Sequence, residues 1–188
     1  QQIYAALAAT AVGLRLGMNL LAIARELEKN VAPAGRMRCI PGIKHTLLID
    51  DSYNASAPRS IIAALETLRD VPTSESSKKF AVLADMLELG TFSEAAHRAV
   101  GEAVARCGID ELVLVGPMMH YAEDAAREAG MSEDHIFHFS SAEEAGLFVQ
   151  ERMRQTDVVL VKGSQGMRME KVVKEIMAEP MDAEKLLV

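Results

Sequence analysis

Short runs of consecutive apolar residues alternate along the chain with longer segments in which apolar residues recur every three or four positions. A continuous apolar run predicts a strand covered on both faces, and the three-to-four spacing predicts an amphipathic helix. The predicted strands are 45–50, 80–84, 112–115, 136–139 and 158–161, and the predicted helices begin at Pro58, Thr91, Pro117, Ser140 and Met167.

This regular alternation of strand and helix is typical of a parallel sheet with helices on both faces. We therefore predict that residues 46–188 form one α/β domain of Rossmann-like architecture, with a mostly parallel sheet. Residues 1–45 lack this alternation. Their pattern predicts two short helices, 3–16 and 20–28, and a strand at 36–40 that pairs with 45–50. We interpret 1–45 as the helical and β end of a preceding domain.

Helix starts carry recognisable signals in the α/β part. Pro58 occupies a position where a first-turn proline belongs. Thr91 with Glu94, and Ser140 with Glu143, each have the spacing of a capping box, which predicts where the following helix begins.

Composition narrows the class of protein. The chain has 188 residues, of which 49% are apolar and 25% charged, as in ordinary soluble domains. A net charge of -7 argues against nucleic acid as a partner. Two distant cysteines indicate a reducing, intracellular compartment, and no apolar run approaches the length of a membrane span. The chain lacks a basic leader and does not begin with Met, so we expect it to be cut from something longer.

Polar and charged residues follow three of the predicted strands. They are Asp50 to Asn54 after the first strand, Asp85 to Gly90 after the second, and Lys162 to Ser164 after the last. Ligands of open α/β sheets bind beyond the carboxyl ends of the strands, so we expect these three segments to share one rim.

The residues of each segment allow more than one role. Asp50 and Asp51 suit helix capping or a solvated turn, but a carboxylate at such a rim also suits ribose hydroxyls. Lys162-Gly163-Ser164 offers an ammonium and close backbone approach to an anion, or is simply a strand end with an exposed lysine. Arg168 would neutralise the same anion or pair with Glu170 or Asp157.

The segment 85–90 reads Asp-Met-Leu-Glu-Leu-Gly, with apolar residues in a predicted loop. It either folds back on the core or acts as a specificity loop, with Asp85 or Glu88 accepting an amine. The chain contains no Gly-Lys pair and hence no Gly-x-x-x-x-Gly-Lys-Ser/Thr phosphate loop. The main phosphate cradle of any bound nucleotide is therefore expected outside this chain.

Several motifs, in this order and spacing, resemble those of the Mur ligases. The resemblance covers essentially the whole chain, and it is strongest to the members that join D-alanyl-D-alanine to UDP-N-acetylmuramoyl-tripeptide. The motifs are "AGRMR" (34–38), "IDDSYNASAPRS" (49–60), "VLADMLELG" (82–90) and "VKGSQGMRME" (161–170), and the first helices (3–29) resemble the end of the family's central ATP-binding domain.

The resemblance implies an ATP- and Mg2+-dependent amide ligase of peptidoglycan precursor synthesis, in the bacterial cytoplasm and monomeric. It implies that 1–45 is the end of the central ATP-binding domain and that 46–188 is the C-terminal domain, which closes over ATP and presents the dipeptide. Residues expected to bind the nucleotide are Arg36, Asp51 and Asn54, with Tyr53 stacking nearby. Residues expected to bind D-Ala-D-Ala are Asp85, Glu88, Lys162, Ser164 and Arg168.

The chain departs from the family pattern at three places. Gln165 stands where the family usually has an arginine, Ala84 where it usually has a glycine, and Pro58 falls one residue later than usual. If the family arginine anchors an anion, Arg168 or Lys162 must compensate here.

The resemblance places the phosphate loop, the metal ligands and the UDP-sugar site outside this chain. We therefore expect no catalytic residue and no metal ligand within it, and no ligation by the chain alone. Two alternatives stay open: a free-standing nucleotide- or anion-binding module without catalysis, and a related amide ligase of the folylpolyglutamate or cyanophycin type.

Overall fold

The computed structural model describes residues 3–187 and shows two compact units, with the division of the chain between Ala32 and Pro33. The first unit contains helices α1 (Ile3–Arg15) and α2 (Leu20–Glu28). Asn19 caps α2: its side-chain oxygen accepts from the Ala22 N–H at 2.8 Å. Among the described residues, every helix is too short or too polar to cross a bilayer.

The second unit is built on a six-stranded sheet in the order β1-β2-β6-β3-β4-β5. β1 runs antiparallel to β2, and all other neighbours are parallel, which confirms the predicted Rossmann-like, mostly parallel α/β architecture. The strands are β1 (Arg38–Pro41), β2 (Leu47–Asp51), β3 (Lys79–Ala84), β4 (Glu111–Val115), β5 (Ile136–Phe139) and β6 (Val158–Lys162).

Helices cover both faces of this sheet. They are α3 (Pro58–Asp70), α4 (Ser93–Arg106), α5 (His120–Glu128), α6 (Ala142–Arg152), α7 (Glu170–Ile176) and the short α8 (Ala183–Leu186). Side chains of α3, α4 and α5 pack on one face with Leu160, and those of α6 and α7 pack on the other with Val159 and Val161. Successive residues of a strand point to opposite faces, so each central strand supplies both cores and is apolar over most of its length.

β1 determines where the compact units divide. Arg38 pairs with Asp50 and Pro41 with Leu47, so this strand belongs to the same sheet as the rest of the α/β unit. The units therefore divide before β1, earlier than the boundary expected at 45/46. The assignment of 1–45 to a central ATP-binding domain stays a prediction.

The predicted helix caps are wrong in detail. A 3-10 turn over Gly90–Phe92 leads into α4, and no side chain caps that helix, so Thr91 has no capping role. At α6 the cap lies one residue later than predicted. Ser141 accepts from the Glu144 N–H at 3.3 Å, and the Glu144 carboxylate accepts from the Ser140 hydroxyl at 2.8 Å. Consecutive serines and glutamates made both registers possible in the sequence.

Candidate functional site

Strand register brings the three polar segments together at the carboxyl edge of the sheet. β6 lies between β2 and β3, so Lys162 pairs laterally with Asp51 on one side and with Leu83 on the other. The segments that follow these strands are therefore neighbours, as expected. We call them the aspartate loop (51–57), the acceptor loop (85–90) and the lysine loop (162–168).

Asp50 is fully buried and holds a segment that precedes β1. One of its carboxylate oxygens accepts from the Gly35 N–H at 3.0 Å, and the other accepts from the Ser52 hydroxyl at 2.6 Å and the Ser52 N–H at 3.1 Å. Burial raises the pKa of Asp50, although the hydrogen bonds from Ser52 and Gly35 oppose that rise. The first acid of the pair is therefore a structural acceptor for backbone and hydroxyl donors.

Asp51 and Lys162 form a buried ion pair. Their side chains are 8% and 3% exposed, and the Lys162 Nζ lies 2.6 Å from the Asp51 Oδ2. Asp51 also accepts from the Met37 N–H at 3.1 Å, while Lys162 donates a second hydrogen bond to the Asn54 carbonyl at 2.8 Å. Burial raises the pKa of Asp51, and the Lys162 ammonium counters it. The pair thus ties the lysine loop to the aspartate loop.

Arg36 and Tyr53 lie next to this pair. The Tyr53 N–H donates to the Gly35 carbonyl at 3.1 Å, and the Arg36 guanidinium lies 4.5 Å from the centre of the Tyr53 ring, within cation–π range. Arg36 and the Asn54 side chain are exposed. An exposed cation, an aromatic ring and an amide are thus grouped on one edge of the rim.

Ser164 joins all three loops. Its hydroxyl donates to the Ala55 carbonyl at 3.2 Å and accepts from the Leu87 N–H at 2.9 Å, and its own N–H donates to the Asp85 carbonyl at 3.3 Å. Ser164 is buried. A hydroxyl that donates once and accepts once is well suited to such a junction.

Asp85 is buried and caps a 3-10 turn. Its two carboxylate oxygens accept from the Met118 N–H at 3.2 Å and the Met119 N–H at 3.0 Å. Gly116, at φ 104°, makes room for it, because a Cβ there would lie 2.6 Å from the Asp85 Cγ. Burial raises the pKa of Asp85, and the hydrogen bond from Met118 opposes the rise.

The remaining predicted residues are exposed. Glu88 has left-handed backbone, at φ 64°, and its side chain is open to solvent, as is that of Leu87. Arg168 is also left-handed, at φ 56°, and its guanidinium pairs with Glu170 at 2.5 Å, which was one of the roles considered for it. Of the two acids of the acceptor loop, Glu88 is exposed to solvent and Asp85 is buried.

The sequence reasoning missed His97 as part of this rim. His97 lies in α4, is fully buried, and its Nε2 accepts from the Met86 N–H at 3.1 Å. Its Nδ1 lies 2.7 Å from the Ser93 carbonyl oxygen. The available signal was a histidine one turn after Ser93, on the apolar face of a predicted helix. Within residues 3–187, no group of three or more His, Cys, Asp or Glu side chains is arranged to hold a metal ion.

Comparison with known proteins identifies the family. The family profile "Mur ligase, glutamate ligase domain" matches residues 35–165. A UDP-N-acetylmuramoyl-tripeptide--D-alanyl-D-alanine ligase from Escherichia coli (strain K12) is 37% identical over 91% of this chain and 36% of its own length.

Solved structures agree with this result. MurF from Acinetobacter baumannii has a TM-score of 0.75 at 31% identity, over 94% of this chain and 37% of its own. MurF from Thermotoga maritima, in complex with ADP, has a TM-score of 0.69 at 26% identity, over 93% of this chain and 36% of its own. The chain spans about a third of the length of the relatives it matches. On the family profile and the identity to these relatives, the chain belongs to the Mur ligase family.

Proposed function

We propose that this chain is the C-terminal part of an ATP-dependent ligase that joins D-Ala-D-Ala to UDP-N-acetylmuramoyl-tripeptide in bacterial peptidoglycan synthesis. The observation that carries the proposal is the 37% identity, over 91% of the chain, to a relative of that name. The polar rim supports it, because the motifs that resemble the family meet there. We further propose that the complete protein is monomeric and works in the bacterial cytoplasm.

The proposed reaction makes positioning the chain's main task. ATP, with Mg2+, phosphorylates the tripeptide carboxylate and leaves as ADP. The dipeptide amine then attacks the carbonyl carbon of the acyl phosphate, and phosphate leaves as the amide bond forms. The two reactants must be held together in a suitable geometry, and this can supply much of the rate acceleration. We assign no Mg2+ ligand and no catalytic residue to this chain. Its loops bind the nucleotide on one side and the amine substrate on the other.

On the nucleotide side we assign Arg36, Tyr53 and Asn54 as contacts. Arg36 and the Asn54 side chain are exposed at the rim, and the Arg36 guanidinium lies over the Tyr53 ring. Asp51 is assigned to the nucleotide by resemblance. Its carboxylate already accepts from Met37 and Lys162, so ribose binding would add to or exchange these partners.

On the acceptor side we assign Glu88 to the amine of the dipeptide and Arg168 to its carboxylate. Asp85 and Ser164 shape the loops, since their polar atoms are occupied by backbone groups. The sequence-based assignment of Lys162 to the dipeptide changes. Its ammonium is buried against Asp51 and Asn54, so we now assign it to the shape of the aspartate loop.

Steady-state kinetics of the complete ligase test these assignments. Arg168→Ala should raise the KM for D-Ala-D-Ala about tenfold or more with little change for ATP, and Lys162→Ala should raise the KM for ATP. The exposed Lys174, which lies in α7 outside the three rim loops, gives the control Lys174→Ala. If Lys162→Ala raised the KM for D-Ala-D-Ala but not the KM for ATP, the sequence-based assignment of Lys162 to the dipeptide would be correct. Absence of dipeptide-dependent phosphate release, or preference for glutamate, would refute the proposed function.

A further inference from the structure

The acceptor loop begins with two backbone N–H groups that are not part of the sheet. β3 ends at Ala84, so the N–H groups of Met86 and Leu87 need partners elsewhere. Each of these N–H groups donates a hydrogen bond to a side chain from a different part of the fold. Met86 donates to the His97 Nε2 at 3.1 Å, and Leu87 donates to the Ser164 Oγ at 2.9 Å. The loop is therefore held at two consecutive residues.

The hydrogen bonds of His97 define its tautomer. The Ser93 carbonyl oxygen, 2.7 Å from Nδ1, is only an acceptor, so Nδ1 carries a proton. The Met86 N–H is only a donor, so Nε2 must be unprotonated. His97 is fully buried, and no other standard side chain offers a donor and an acceptor at this spacing in a rigid ring. The ring therefore bridges a helix carbonyl and a loop amide in its neutral form.

Fixing Met86 and Leu87 has a consequence for the residues that follow. Glu88 is left-handed, at φ 64°, a conformation that a non-glycine residue adopts at a cost and keeps only when its surroundings impose it. The Leu87 side chain lies against the lysine loop, since a Cβ at Gly166 would lie 2.9 Å from the Leu87 Cδ1. An apolar side chain and a carboxylate are thus presented side by side at the rim.

We propose that His97 is a positioning residue of the ligase, which together with Ser164 fixes the acceptor loop so that Leu87 and Glu88 receive the methyl and ammonium groups of the incoming dipeptide. This inference rests on the proposed function. His97 does not touch the substrate: it acts only through the Met86 amide.

Two variants separate the acceptor role of the ring from its bulk. His97→Phe keeps a buried ring but removes the acceptor for Met86, whereas His97→Gln can place an amide oxygen near the position of Nε2. In the complete ligase, His97→Phe should raise the KM for D-Ala-D-Ala about tenfold and leave the KM for ATP within about twofold, and His97→Gln should recover most of the loss. His45→Phe, at an exposed histidine that precedes β2 at the opposite edge of the sheet, is the control.

Spectroscopy on the present chain provides a second readout. Long-range proton–nitrogen correlation should show His97 protonated at Nδ1 alone, and amide exchange at Met86 should accelerate in His97→Phe but not in His45→Phe. If His97→Phe does not fold, Ser164→Ala removes the second point of attachment and should raise the same KM.

The possible failures are distinguishable. A wild-type enzyme that does not use D-Ala-D-Ala refutes the proposed function, and this substrate assignment with it. A normal dipeptide KM in folded His97→Phe, or in Ser164→Ala where only that variant folds, refutes the positioning role alone. Protonation of His97 at Nε2 would also overturn it.

Discussion

Replacement of Lys162 by methionine should strongly destabilise the fold, because it breaks a buried ion pair while leaving one charge in place. In Lys162→Met, the Asp51 carboxylate, 8% exposed, keeps one donor, the Met37 N–H at 3.1 Å, and the Asn54 carbonyl loses its lysine donor. Removing one partner of a buried pair costs about 3–5 kcal/mol. We expect a loss of that size in the free energy of unfolding at pH 7.

A double variant tests whether the cost comes from the uncompensated charge. Asp51→Asn combined with Lys162→Met removes both charges and leaves an amide oxygen to accept from Met37. It should recover more than half of the loss, because replacing a whole buried pair is often close to neutral. The free energy of unfolding of Lys162→Met should also approach that of the wild type as the pH falls. Burial already raises the pKa of Asp51, and protonation of Asp51 would remove the unpaired charge.

The assay is urea unfolding of the chain followed by far-ultraviolet circular dichroism, with linear extrapolation to water. The control is Lys174→Met, the same substitution at an exposed lysine of α7, which should change the free energy of unfolding by less than about 0.5 kcal/mol. A loss below about 1 kcal/mol in Lys162→Met, or equal losses in the single and double variants, would refute the reasoning.

Three further predictions follow from other parts of the molecule. Burial works against ionised Glu111, but hydrogen bonds from Lys78 and Arg152 outweigh it and lower its pKa below 4.5. Glu111→Gln should therefore cost about 1–3 kcal/mol in urea unfolding at pH 7, and the difference from wild type should vanish as the pH falls through that lowered pKa. Gly101→Ala should destabilise by about 1–3 kcal/mol despite the better helix propensity of alanine, because the new Cβ would lie 2.1 Å from the Ala122 carbonyl oxygen; a raised melting temperature would contradict this. Finally, the chain alone, incubated with ATP, UDP-N-acetylmuramoyl-tripeptide and D-Ala-D-Ala, should yield no ligated product by mass spectrometry, and any ATP-dependent product would show the expectation to be wrong.

Much of the fold was predictable because the central strands of its sheet are buried on both faces. A strand buried on both faces gives a continuous apolar run, so β3, β4 and β6 were visible as such, and the helices between them followed from their spacing. What the pattern did not give was the order of the strands. The insertion of β6 between β2 and β3 depends on long-range packing that local periodicity does not encode.

This difference explains which parts of the site could be predicted. That polar residues after parallel strands share one rim follows from a general rule of α/β sheets. That Lys162 faces Asp51 depends on strand order and register. Without these, the family resemblance led us to assign the two residues to different ligands. His97 was missed for a related reason: a buried histidine on a helix looks like core until the loop that it contacts is known.

The rim is better understood as one connected network than as two separate binding surfaces. Ser164 contacts the aspartate and acceptor loops through the same hydroxyl, and Lys162 supports the aspartate loop from the strand that precedes Ser164. A substitution at Lys162 or Ser164 will therefore move atoms in more than one loop, so a single variant at either residue affects both sides of the rim. Residues that share hydrogen-bond partners are expected to be non-additive. A double-mutant cycle between Lys162 and Ser164, measured on both KM values, is consequently the measurement that separates their roles.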